Sequence, residues 1–195
     1  MSKETDRGLR QVRSRPAEFR AAESDGKKRI EGYFSTFDGV YQLWPGATES
    51  IDPHAFDEAI NDDVRALIDH ETRLVLGRNK ARTLELKIDA HGLWAGIDIN
   101  DADTDATNLH ARVQRGDVNQ CSFGFDILDE ETTYNEQTGA VHWTIKKVKL
   151  YEVSCVTFPA YEDTSISARK DQYDQIRKRQ NDAWRAKMKA RIKHA

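Results

Sequence analysis

Apolar residues in this chain fall into short runs of period two, cut by turn-forming clusters, and no regular alternation of strand and helix links them. That excludes a parallel α/β sheet. It leaves an antiparallel sheet or barrel with a few helices packed around it. Phe19 and Ala21 belong to one run and Ile30, Tyr33, Phe34 and Phe37 to the next, with the turn triplet Ser24-Asp25-Gly26 between them. Residues 39–50 contain Gly39, Pro45 and Gly46 and read as an extended loop. Asp52-Pro53 then suits a helix start, with aspartate as N-cap and proline where an N–H has no partner. Val64, Ala66, Ile68 and His70 alternate as a strand, and residues 74–78, 83–89 and 92–99 continue the pattern. Ala106, Leu109 and Val113 mark a helix over residues 104–115, stopped by Gly116. Strands follow at 120–128 and 141–158, the latter as two strands or one bent strand.

With 195 residues the chain has room for one ordinary domain and an appendage. Residues 1–16 have no apolar period and read as a mobile leader, residues 17–169 form the folded body, and residues 170–195 form a helical tail. In that tail Tyr173, Ile176, Trp184, Met188 and Ile192 fall on one narrow helical stripe, the mark of a docking or autocleavage segment. No apolar stretch nears the roughly 20 residues of a membrane helix, and the charged first thirty residues do not resemble a secretory signal. Neither a membrane partner nor secretion is expected. Charge is uneven: residues 168–195 carry ten Lys/Arg against three Asp/Glu, whereas the rest carry twenty against thirty. A basic tail on an acidic body speaks of partners rather than fold.

Cys121 and Cys155 are too few for a disulfide framework and lack the companions of a zinc site, which fits a reducing compartment, most simply a cytoplasm. Six histidines occur without HExxH, CxxC, Walker or GxGxxG patterns, so no metal or cofactor is expected. Ser122 alternates with Cys121, Phe123 and Phe125 and shares a face with Gly124, which leaves room for a close approach. Cys121 is the rival nucleophile, but its phenylalanine neighbours suit a small buried hydrophobe. Glu152 occupies the same alternate positions as Val148, Leu150, Ser154 and Val156, where an ionised carboxylate needs a partner. His70, aligned with Val64, Ala66 and Ile68, is a candidate. Serine, histidine and carboxylate on such positions outline an acyl-transfer triad, although spacing alone does not bring them together.

Six segments in order resemble the prohead (capsid maturation) serine proteases of tailed bacteriophages. They are Arg29-Ile30-Glu31-Gly32-Tyr33, Ile51-Asp52-Pro53-His54-Ala55-Phe56, Asp63 to Glu71 with Leu76-Gly77-Arg78, Arg115-Gly116-Asp117-Val118, Cys121-Ser122-Phe123-Gly124-Phe125, and Leu150 to Tyr161. The resemblance covers roughly residues 17–169, the protease domain. It implies a mixed, β-rich α+β fold: a closed antiparallel β-barrel of the herpesvirus-protease (assemblin) type surrounded by short helices. It implies a serine endopeptidase that cleaves scaffold protein, major capsid protein and itself inside the immature capsid, in the host cytoplasm. A homodimer is compatible with it, and nucleic acid is not an expected partner. The nucleophile falls on Ser122 and the base on His70. The third member is Glu152, with His142 as competitor, since the herpesvirus enzymes have a second histidine there. The resemblance places oxyanion donors around Ala160 and Tyr161, and Arg78 is a second candidate for the oxyanion or for a structural ion pair. The alternative is a catalytically inactive scaffolding module of the same fold.

Overall fold

The structure, a computed structural model, describes residues 11–16, 18–24, 26–158 and 163–193. One sheet is wholly antiparallel: β2 (Glu18–Ser24) pairs with β3 (Lys27–Thr36), β3 with β9 (Gly92–Asp98), and β9 with β8 (Leu84–Ile88). The second sheet runs β1 (Gln11–Pro16), β10 (Gln120–Tyr134), β11 (Val141–Val156), β5 (Ala47–Ile51), β4 (Val40–Trp44). β6 (Arg65–Ile68) also pairs with β11, and β7 (Glu71–Arg78) with β6.

The two sheets share one core. Ile30, Phe34, Leu93 and Ile97 come from the first, and Phe123, Phe125, Leu150 and Val153 from the second. Each such fully buried side chain contributes on the order of 1.5–3 kcal/mol. The helix α1 (Thr104–Arg115) adds Ala106, Leu109 and Val113 to this core. Its bounds and its stop at Gly116, which closes it in the left-handed conformation, match the sequence reading, and the Asp103 carboxylate caps its start by accepting from the Asp105 and Ala106 N–H groups.

The closed antiparallel barrel implied by the resemblance is not formed. Neither sheet closes on itself, and two of its joins are parallel. β11 is the reason. Its first part, Val141–Ile145, lies beside β5, and its last part, Glu152–Cys155, lies beside β6. The sheet therefore fans into two lanes along one side of β11 and leaves β1 as an edge on the other. Nor do short helices surround it: among the described residues the α-helices are α1 and the long α2 (Asp163–Lys193).

Three local expectations also change. Residues 52–60 form turns that end in a single 3-10 turn, Ala59–Asn61. Asp52 does accept from the His54 N–H (2.9 Å), but its other oxygen takes Lys146 (2.8 Å) and its N–H bonds the Ile145 carbonyl (2.9 Å), so β11 holds the chain out of helix. Residues 39–50 contain β4 and β5 rather than a loop. The alternation of Ala47, Glu49 and Ile51 is inward-facing but hidden by its charged middle member. Gln11–Pro16 likewise leaves the expected leader and pairs with β10 as β1, with Gln11 and Arg13 buried.

α2 starts packed and ends exposed. Tyr173 and Ile176 rest on Ala47, Val141 and Trp143, and Arg169 lies over the Trp143 ring (4.9 Å), whereas Trp184 is 60% exposed. The apolar stripe is thus used at its first members.

Candidate active site

β10 alternates as its sequence suggests. Cys121, Phe123 and Phe125 enter the core, and Ser122 and Gly124 face the other way. Cys121 donates to the Tyr33 and Phe34 carbonyls at 3.5 Å each, the behaviour of a packed thiol. Its register partner Cys155 is likewise buried and outside any disulfide, and burial pushes that thiol strongly up.

On β11 the expected alternation of Leu150, Glu152 and Ser154 on one face does not hold. Phe125 pairs with Leu150 but Gly124 pairs with Glu152, so Tyr151 is an extra residue, a β-bulge. Leu150, Val153 and Cys155 face the core. Glu152 and Ser154 are turned to the Ser122 side. The Glu152 carboxylate is 2% exposed and accepts from the Ser154 hydroxyl at 2.5 Å. It lies across Gly124, where an added Cβ would stand 2.3 Å from Glu152 Oε1. The space beside Ser122 that glycine leaves is taken by this carboxylate.

His70 is not a strand residue. Ile68 pairs with Glu71, and the two residues between them, Asp69 (φ 48°) and His70 (φ 60°), make the hairpin turn. Left-handed backbone at both positions normally calls for Asn-Gly, so this turn stores strain that the surroundings must hold. They do so through Asp69. Its carboxylate accepts from the Thr157 N–H (2.6 Å) and hydroxyl (3.1 Å), and its N–H bonds the Cys155 carbonyl (3.0 Å). The turn is thereby fixed to the end of β11, and His70 Nδ1 meets Glu152 Oε1 at 2.7 Å. With Nδ1–H donating, Nε2 carries the lone pair, and it is buried without a hydrogen-bond partner among the described residues.

Ser122 stands opposite Ser154 in register, on the face that bears Glu152. It is fully buried, and its hydroxyl donates to the Arg13 carbonyl of β1 at 3.0 Å. His142 lies in the other half of β11, with its ring nitrogens bonded to Thr48 (2.8 Å) and Ser50 (2.9 Å). Arg78 makes a two-pronged pair with Asp63 at 2.6 Å for each bond, and this hydrogen-bonded guanidinium holds the Asp63 carboxyl down at about 2. Ala160 and Tyr161 lie outside the described residues. No three of His, Cys, Asp and Glu gather to hold a metal among the described residues.

Sequence reasoning passed over Asp69 and Ser154. For Ser154 the signal was there, since it lies two residues from Glu152 on a strand and so shares its face. The Asp-His pair gave none, because a glycine-free two-residue turn does not read as a hairpin.

The site offers an imidazole oriented by a carboxylate, with a free basic nitrogen and a serine hydroxyl on the neighbouring strand, a set suited to acyl transfer. Comparison with known proteins bears on the family of the chain. The chain is 30% identical over 151 residues to the prohead protease of Enterobacteria phage HK97, covering 75% of this chain and 62% of that relative. The chain thus spans less than two thirds of the relative's length. The bacteriophage T4 capsid assembly protease gp21 superposes with a TM-score of 0.48 at 13% identity, over 77% of this chain and 97% of that one. The family profile of the caudovirus prohead serine proteases matches residues 15–179, most of the chain, and the chain belongs to that family.

Proposed function

We propose that this chain is a serine endopeptidase that cleaves scaffold and capsid-protein segments, and itself, during capsid maturation. It would act inside the immature capsid in the host cytoplasm, with residues 17–169 as the protease unit. The observation that carries the reading is the 2.7 Å bond from His70 Nδ1 to the buried Glu152, which leaves Nε2 as a base on the side of the sheet that bears Ser122.

Ser122 attacks the scissile carbonyl carbon as Nε2 removes its proton, and the tetrahedral intermediate collapses as the same proton passes to the leaving amine. Water repeats the sequence on the acyl-enzyme. Glu152 selects the Nδ1–H tautomer and stabilises the imidazolium, and Ser154 and Gly124 hold that carboxylate in place. Asp69 is a positioning residue, acting through the turn that carries His70. General-base assistance of this type contributes about 10²–10⁴ in rate.

The test is to incubate the full chain with its scaffold protein and map new termini by mass spectrometry. Ser122→Ala and His70→Ala are expected to abolish cleavage while circular dichroism stays unchanged. Cleavage retained in Ser122→Ala and lost in Cys121→Ala would move the nucleophile and overturn the assignment. One observation favours the second reading, an inactive assembly module: the Ser122 hydroxyl is bonded to the Arg13 carbonyl. A wild-type chain that produces no new termini on scaffold or capsid protein would select it.

A further inference from the structure

A protease takes its substrate as an extended strand with a carbonyl beside the nucleophile. β10, which carries Ser122, has two sides. On one lies β11, sixteen residues long, paired along the whole of β10 and bearing Glu152. That neighbour is fixed. On the other lies β1, six residues, the edge of the sheet, paired antiparallel from Gln11 opposite Phe125 to Pro16 opposite Gln120. β1 already presents a peptide carbonyl, that of Arg13, to the Ser122 hydroxyl at 3.0 Å. The Arg13 side chain reaches into the protein, 1% exposed, bonds Glu49 at 2.5 and 2.9 Å and lies over the Phe125 ring at 5.6 Å.

We propose, building on the protease reading, that this edge of β10 is the substrate lane, that it takes an extended peptide bearing arginine, and that β1 is the chain's own segment holding the lane shut. The charge count supports arginine. Among the described residues, Glu49 and Glu130 face Arg13 and Arg169, with Arg169 bonded to Glu49 (2.7 Å) and Glu130 (2.7 Å). Departure of β1 leaves two carboxylates facing one guanidinium, so an incoming peptide that restores the second cation is favoured over a neutral one. Glu49 is then the specificity-determining residue. The same carboxylate joins β1 to α2 through Arg13 and Arg169.

The test uses the full chain and two readouts. The first is the rate at which a fluorophosphonate probe labels Ser122. Arg15 is the register partner of Cys121, so Arg15→Cys supplies a reversible lock between β1 and β10, with oxidised and reduced wild type as controls for the native cysteines. Oxidised Arg15→Cys should label about tenfold more slowly than the same protein reduced, and Arg13→Ala about tenfold faster than wild type, since a mostly closed population lowers apparent reactivity in proportion. The second readout is fluorescence anisotropy of a labelled Gln-Val-Arg-Ser-Arg-Pro peptide added to the Arg13→Ala chain. It should bind, bind equally to the Arg13→Ala/Ser122→Ala double variant, and lose about tenfold or more when its first arginine is replaced by alanine. Labelling that ignores the lock, or a peptide that does not bind, overturns the lane and leaves the protease reading intact. Arginine-dependent binding without labelling in any variant upholds the lane and overturns the nucleophile.

Discussion

Glu49 and Glu152 are both buried on the same sheet, 0% and 2% exposed, and the groups that face them differ. Glu49 meets two guanidiniums, Arg13 from β1 and Arg169 from α2, through four bonds. Burial works to raise its pKa, the two guanidiniums more than offset this, and its carboxyl lies below the ordinary value near 4.5. Glu152 meets an imidazole and a hydroxyl. Arginine does not give up its proton, so the first cluster is a clamp that holds charge without moving a proton. Imidazole exchanges one at its far nitrogen, so the second can drive chemistry while its carboxylate stays still. A buried carboxylate is therefore identified by its partners, not by its burial.

The sharpest way to break that contrast is the same substitution at both sites. Glu152→Gln should lower kcat by about 10²–10⁴ with the melting temperature little changed, because the imidazole loses its tautomer and orientation. Glu49→Gln should act differently: it removes the carboxylate that two guanidiniums share, costs about 3–5 kcal/mol of stability in a denaturant titration, and, as the residue that selects arginine, raises KM for an arginine-bearing peptide rather than lowering kcat per folded molecule. His142→Ala is the control. Should it match His70→Ala while Glu152→Gln stays near wild type, the triad is serine with two histidines. Gly124→Ala comes next in size. Its Cβ would meet Glu152 Oε1 at 2.3 Å, so the carboxylate must move off His70, with roughly 10–100-fold lost from kcat and about 1–3 kcal/mol from stability. An unchanged kcat would mean that Glu152 need not lie across β10.

Acid separates the clusters more gently. The folded pKa of Glu49 is depressed, so the clamp's contribution is complete above its ordinary value near 4.5 and drains as pH falls through the lower folded value. Melting temperatures of wild type should therefore fall below that pH more steeply than those of Glu49→Gln, and parallel curves would show that the clamp carries no such linkage. The smallest effect is expected at the far end of α2. Truncation after Gln180 spares Arg169, Tyr173 and Ile176, and should change stability by no more than about 1 kcal/mol and leave peptide cleavage alone. Reduced incorporation into capsids by that truncated chain would assign the exposed turns to docking.

α1 was legible because its signals are local: the spacing of Ala106, Leu109 and Val113 and the stop at Gly116 each act over three or four residues. The strand alternation around Ser122 was legible for the same reason. Residues 52–60 misled because Asp52 and Pro53 do favour a helix start, and the bonds to Ile145 and Lys146 that prevail come from residues more than ninety positions away. β1 and β5 were hidden by charged residues at inward positions, Arg13 and Glu49, each of which looks like a surface residue until the other is brought to it.

The sequence by itself determined the β-rich class, α1, the two faces of β10 and the three residue types of the candidate site, since period, caps and residue chemistry are properties of neighbours along the chain. Tertiary structure decided the rest. A bulge at Tyr151 turned Glu152 out of the core, a strained turn pinned by Asp69 to Thr157 carried His70 to it, and the long β11 fanned the sheet open where a barrel was expected. Each depends on one extra residue or one pairing across some 80 positions, and a one-residue slip in a strand reverses the face of every side chain beyond it.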